Sequence, residues 1–138
     1  MAIQYNNNID GVDWERVSEL FERVGWGKRD AKDVQVAFRT SSYVRFAYDD
    51  DQVVGVGRTV DDGRYYSLIV DLVVDPRYQR RGIGRTILSY LEQSLTKYVF
   101  TTLTSAVGKE GFYLSQGWCQ QTTSFIWPRT ERQKKDHT

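Results

Sequence analysis

Residues 71–88 read DLVVDPRYQRRGIGRTIL, and few folds accommodate that order. An apolar, β-branched run stops at Pro76. A basic segment follows, two glycines flank Ile83, and Ile83, Ile87, Leu88, Leu91 and Leu95 then recur at helical spacing. A strand feeding a helix in this way calls for a parallel strand beyond it, reached by a right-handed crossover. The junction also has a chemistry. A helix N-terminus gathers unpaired N–H groups and the positive end of the helix dipole. Glycines let the backbone approach a ligand closely. Such a junction suits an anion, phosphate above all, and Arg80, Arg81 and Arg85 add positive potential. Neither the P-loop pattern nor the third glycine of the dinucleotide fingerprint is present. On spacing alone, a solvated connection is the competing reading.

The rest of the chain supplies the layers. AIQYN (2–6) suits a short first strand. Asp13 is placed to cap a helix carrying Trp14, Val17, Leu20, Phe21 and Val24 on one face. Residues 29–41 suggest a second helix with Asp30 as its cap. From Tyr43 to Pro76, polar turns at Asp49–Gln52 and Asp61–Gly63 separate β-branched and aromatic runs, the pattern of a three-stranded antiparallel meander. After the crossover helix, residues 97–104 read as a strand, 107–118 as a short helix closed by Gly117, and CQQTTSFIW (119–127) as a last strand. The expected order is β-α-α-β-β-β-α-β-α-β, a mixed α/β (α+β) fold with helices on both sheet faces. It reads as one domain over residues 1–127 with a polar, frayed tail over 128–138.

Composition narrows the function classes. With 138 residues, 40% of them hydrophobic, and a net charge of +1, nothing global points to a nucleic acid or a membrane. The single cysteine, Cys119, excludes an internal disulfide framework and a cysteine-rich metal site. No apolar leader core and no span of membrane length is visible. The expectation is a cytoplasmic domain with no metal. His137, the one histidine, lies in the tail, so a cysteine–histidine acyltransferase is disfavoured.

The quoted stretch resembles motif A of the GCN5-related N-acetyltransferase (GNAT) superfamily, with Gln79-Arg80-Arg81-Gly82-Ile83-Gly84 in the place of Gln/Arg-x-x-Gly-x-Gly/Ala. Downstream, GFYLSQGW (111–118) is similar to the family's FY-x-x-x-GF segment. The resemblance spans roughly residues 43–127. It implies acetyl-CoA as co-substrate and acyl transfer to an amine by direct attack in a ternary complex. It also implies that the fourth and fifth strands splay apart, because a bulge interrupts the fourth, here Tyr66–Val74. The coenzyme would pair its pantetheine arm with the backbone of Leu72, Val73 and Val74. Its pyrophosphate would sit on the amides of Gln79, Arg80, Arg81, Gly82, Ile83, Gly84 and Arg85.

The resemblance also suggests the proton donor. A departing CoA thiolate, with a thiol-like pKa of ~8.5, benefits from a neighbouring acid. Tyr113 matches the family tyrosine in that role; its alternative is a packed aromatic beside Phe112. A backbone N–H of the fourth strand would stabilise the oxyanion. Asp71 interrupts an apolar run and is a candidate base or amine contact; the alternative is an ion pair with Arg45 or Arg58. Many relatives carry an asparagine about seven residues before the tyrosine, where this chain has Ala106. That side-chain contact is absent or replaced.

The family's acceptor site implies Trp26, Tyr65 and Tyr66 as substrate-binding residues, with Asp30, Asp33 and Asp71 suiting a cationic amine and Lys28 and Arg29 a phosphorylated one. A small primary amine is the first expectation; a protein lysine or N-terminal amine is the second. Also open are a non-catalytic coenzyme A-binding sensor, an RNA-binding module using the arginine loop, and a homodimer formed through the last strand and Trp127.

Overall fold

The computed structural model describes residues 2–138. They form two compact units, one ending at Leu103 and the other comprising Thr104–Thr138. The first holds five strands, β1 (Ile3–Asn6), β2 (Val44–Asp49), β3 (Gln52–Asp61), β4 (Tyr66–Val74) and β5 (Phe100–Leu103). It also holds the helices α1 (Trp14–Arg23), α2 (Ala31–Thr40) and α3 (Ile83–Ser94). The sheet order is β1-β2-β3-β4-β5. All neighbours are antiparallel except β4 and β5, which run parallel. The expected meander and crossover are both present.

Helix starts follow the sequence signals. Asp13 caps α1 by accepting from the Arg16 N–H, and Asp30 caps α2 by accepting from Lys32 and Asp33. The apolar stripe of α1 packs with that of α2 against one sheet face. Val17, Leu20, Phe21, Val34 and Phe38 form a core with Phe46, Val56 and Val73. The stripe of α3 covers the other face, with Ile83, Ile87, Leu88 and Leu91 buried.

Two glycines on β3 let α3 come close. A Cβ at Gly57 would lie 2.8 Å from Ile87 Cγ2 and 3.0 Å from Leu91 Cδ1, and one at Gly55 would lie 3.1 Å from Ile83 and Ile87 methyls. A side chain there would push the helix off the sheet. Gly55 and Gly57 thus face α3 while Val56 between them faces α1 and α2, as strand alternation requires.

Two irregularities break the ladders. Ala47 pairs with Gly55 but Tyr48 with Val53, so Val54 is an extra residue on β3. That explains why Val53 and Val56 both join the same core. Val56 pairs with Val73 but Arg58 with Val70, so β4 carries one residue too many opposite Gly57. The second bulge matters more, because it falls at Asp71.

The second unit departs from expectation in two places. Its helix α4 (Glu110–Ser115) is shorter than the 107–118 reading, and Gly117 follows with φ 92°. Residues 119–127 form no strand; Phe125 is 95% exposed and Trp127 79%. The alternation in CQQTTSFIW has no buried face to serve, and alternation without burial does not fix a strand. The tail, expected to fray, instead forms α5 (Glu131–His137). Thr130 caps it by accepting from the Gln133 N–H, Arg132 pairs with Asp136 one turn on at 3.0 Å, and Lys134 and Lys135 lie toward its C-terminal end.

Candidate active site

The site grows from the point where β4 loses a neighbour. β5 pairs with β4 only over Tyr66–Ile69. From Val70 onward β4 is paired on its β3 side alone. The Asp75 N–H donates to the Val54 carbonyl at 2.8 Å, toward β3. By strand alternation, the N–H and C=O of Val74 therefore face the open edge. By the same alternation the Val73 groups turn to β3, so within the Leu72–Val74 edge it is chiefly Val74 that faces an extended, amide-bearing ligand. The splay expected between the fourth and fifth strands is present, and the bulge lies where the two part.

The loop after this edge is tied to it. Gln79 Nε2 donates to the Val74 carbonyl at 3.0 Å. Asp75 caps a 3-10 turn over Pro76–Tyr78 by accepting from the Arg77 N–H. Tyr78 donates its hydroxyl to Asp49 at 2.6 Å, a bond that raises the tyrosine's pKa. Arg80 and Gly82 both adopt left-handed backbone, with φ 65° and 81°. Gly82 caps α3 with no side-chain hydrogen bond, so the first-turn N–H groups of Ile83 and Gly84 have no intrahelical acceptor. The Arg81 guanidinium lies 5.4 Å from the Tyr78 ring centre. The strand edge suits a ligand's amides, and the helix N-terminus flanked by arginines suits its phosphates.

Asp75 anchors the loop from beneath. It is fully buried, a feature the sequence reading missed. The Arg16 guanidinium, from α1, donates to it at 2.7 Å, and Arg77 Nη2 donates at 3.2 Å. Burial alone would raise its pKa. The backbone and side-chain hydrogen bonds from Arg77 and the contact with Arg16 outweigh burial and hold it at about 2. Arg16 also donates to the Val53 carbonyl at 3.0 Å. No local signal identifies this pair, because its members are 59 residues apart in sequence.

Asp71 sits on the bulge with φ 55°. Its two oxygens are engaged by two guanidiniums, Oδ1 by Arg29 Nη1 at 3.1 Å and Oδ2 by Arg58 Nε at 2.7 Å. Of the two arginine partners foreseen, Arg58 is present, while Arg45 stacks over Tyr90 at 4.1 Å. Arg29 comes from the loop between α1 and α2, where it lies 4.2 Å from the Phe21 ring centre and 5.7 Å from that of Trp26. Trp26 stacks on Phe21 at 5.8 Å and is partly exposed. Tyr65 and Tyr66 are exposed at the start of β4, with Tyr66 6.2 Å from Phe100. Trp26 and Asp71 are thus linked through Arg29.

Tyr113 belongs to the second unit, on α4. Its ring meets Phe112 at 5.0 Å and Trp118 at 6.3 Å, both edge-on. Burial raises its pKa, so the phenol is protonated at neutral pH. Cys119 is exposed. No group of three or more histidine, cysteine or acidic residues fit to hold a metal ion occurs among the described residues. No helix among them is long and apolar enough to cross a membrane.

Comparison with known proteins agrees with this geometry. In sequence, the chain is 30% identical over 103 residues to an N-acetyltransferase called ycf52 from Pyropia yezoensis, covering 72% of this chain and 58% of that protein. A namesake from Porphyra purpurea is 27% identical over 104 residues, with 72% and 60% covered. The chain thus spans about three-fifths of the length of these relatives. In structure, it superposes on a GNAT-family acetyltransferase from Streptococcus pneumoniae with a TM-score of 0.75 at 29% identity, covering 94% of this chain and 98% of that one. The family model of the acetyltransferase (GNAT) domain matches residues 18–126, well over half of the chain. The splayed β4 edge and the glycine loop are therefore features of a family member: this chain belongs to the GNAT acetyltransferases.

Proposed function

We propose that the protein transfers an acetyl group from acetyl-CoA to a primary amine of a small molecule in the cytoplasm. The observation that carries this reading is the unpaired β4 edge running directly into the Gly82 turn. Leu72, Val73 and Val74 would hold the pantetheine amides, and the backbone from Gln79 to Arg85 the phosphates. Acetyl-CoA supplies an activated acyl group with a thiolate leaving group. The chain's own residues do the rest. A β4 backbone N–H stabilises the oxyanion. Tyr113, protonated at neutral pH, is the proton donor to the leaving sulfur. Trp26, Tyr65 and Tyr66 offer aromatic surface to the body of the amine.

The test is release of free thiol from acetyl-CoA across a panel of amines. Its arms are aminosugars, arylalkylamines, and lysine-bearing or free N-terminal peptides. Turnover with small amines is the expected result. Turnover restricted to peptides would move the acceptor to protein. Tight acetyl-CoA binding with no turnover on any amine would leave a coenzyme sensor. Absence of acetyl-CoA binding would overturn the reading.

A further inference from the structure

Asp71 has the most unusual setting of any ionisable group on β4. It is a non-glycine residue with φ 55°, placed at the extra residue of a bulge, and its side chain is only 9% exposed. Left-handed backbone is unfavourable for a non-glycine residue, though aspartate tolerates it better than most. The bulge has a directional effect. Val70 pairs with Arg58, and Asp71 binds the Arg58 side chain, so two consecutive residues address the α1–α2 side of the sheet. Without the extra residue, alternation would turn Asp71 toward α3.

Its partners come from separate segments. Arg29 lies in the connection between α1 and α2, which also holds Trp26. The Arg29 carbonyl accepts from the Ser18 hydroxyl on α1, and its guanidinium lies against Phe21. Arg58 lies on β3; its Nη1 donates to Ser41 Oγ at the end of α2 at 3.3 Å, and its guanidinium lies 5.8 Å from the Phe38 ring centre. One carboxylate therefore joins the β4 bulge to the 24–30 connection and, through Arg58, to the end of α2. The three side chains sum to one positive charge. An ammonium approaching Asp71 would meet two guanidiniums already occupying its oxygens.

We infer that Asp71 is a positioning residue, a latch that fixes the 24–30 connection against the β4 bulge and couples its order to occupancy of the neighbouring strand edge. The coupling rests on the acetyl-CoA reading of that edge; the latch does not. Through Arg29 the carboxylate holds the segment carrying Trp26. The left-handed backbone of Asp71 lies between the last β4–β5 pair, at Ile69, and the Leu72–Val74 edge. The carboxylate and the backbone are then separable: Asn and Gly both accept positive φ and both remove the charge.

Hydrogen exchange read by mass spectrometry tests this on the full chain, without and with acetyl-CoA. Without ligand, Asp71→Asn and Arg29→Ala should each speed exchange in residues 24–30 by about ten-fold, the equivalent of ~1.4 kcal/mol. The double variant should exchange no faster than the faster single one, since both break the same contact. Arg29→Lys should restore most of the protection. Asp71→Gly should free the connection yet leave exchange at 72–75 as in the wild type, which also shows that the variant is folded. With acetyl-CoA, the wild type should gain protection at both 72–75 and 24–30, and Asp71→Asn only at 72–75. Unchanged ligand-free exchange in either single variant overturns the latch. Protection of 24–30 by acetyl-CoA that persists in Asp71→Asn, or is missing in a wild type protected at 72–75, overturns the coupling. A wild type with no acetyl-CoA protection anywhere overturns the proposed function instead, and the ligand-free arm still decides the latch.

Discussion

Gln79 reaches back across its own turn to the carbonyl of Val74, 3.0 Å away, and so ties the glycine loop to the open edge of β4. The last residue of the strand and the first of the QRRGIG segment are thereby joined as one hydrogen-bonded unit. Replacing Gln79 with alanine should loosen that unit without unfolding the chain. A single hydrogen bond of this kind is worth about 1 kcal/mol. The KM for acetyl-CoA should therefore rise roughly five-fold while kcat changes little. Steady-state kinetics with acetyl-CoA varied at fixed amine checks this.

Gly82 has open space around its α-carbon and φ 81°, so an alanine there would clash with nothing and still be strained. Gly82→Ala should cost about 1–2 kcal/mol of backbone strain. It should also weaken acetyl-CoA binding by distorting the first-turn amides of α3. Calorimetric titration with acetyl-CoA would show weakened affinity; an unchanged Kd would place the phosphates elsewhere.

Gly57 presents the opposite case, with ordinary φ and no room. Gly57→Ala would bring a Cβ within 2.8 Å of the Ile87 methyl. The expected loss is about 1–3 kcal/mol from overpacking, seen as a lower urea midpoint with an unchanged m-value.

Asp75 makes the fold acid-sensitive in a defined window. Its folded pKa, about 2, lies below its ordinary value of 3.8. A depressed carboxylate contributes stability above its unfolded pKa and loses it as pH falls through the folded one. About 2 kcal/mol should disappear between roughly pH 4 and pH 2. Urea melts across that range should show the slope in the wild type and a flatter one in Asp75→Asn. At pH 7 the same variant should be less stable by about 3 kcal/mol, because it leaves the nearly buried Arg16 without its main counter-charge.

Tyr113→Phe removes a hydroxyl and leaves the ring packing against Phe112 and Trp118. Turnover should fall roughly 10²-fold or more, the scale of lost general acid catalysis, with acetyl-CoA affinity retained. Wild-type turnover in Tyr113→Phe would remove this residue from the mechanism.

Much of the fold was legible in the sequence because local rules decided it. Asp13 and Asp30 announced two helices by capping chemistry, the turns at residues 49–52 and 61–63 announced the meander, and the stripe after Gly82 announced α3. The same local reading failed at 119–127, where alternation was present but neither face is buried, and at the tail, where a threonine cap and one charge pair one turn apart make a helix. At the candidate site, the bulge and the parting of β4 and β5 were expected from the family resemblance, and both are present.

The sequence by itself determined the layers, the crossover and the anion-suited turn, because each depends on residues close together in the chain. Only the tertiary structure decided that Asp75 is buried against Arg16, and that Asp71 takes Arg29 beside the foreseen Arg58. An aspartate in an apolar run signals no more than a group needing a partner. Which partner depends on packing between elements 42 residues apart for Arg29 and Asp71, and 59 apart for Arg16 and Asp75. These two pairs join side chains that only the fold brings together, so neighbouring residues in the chain carry no signal for them.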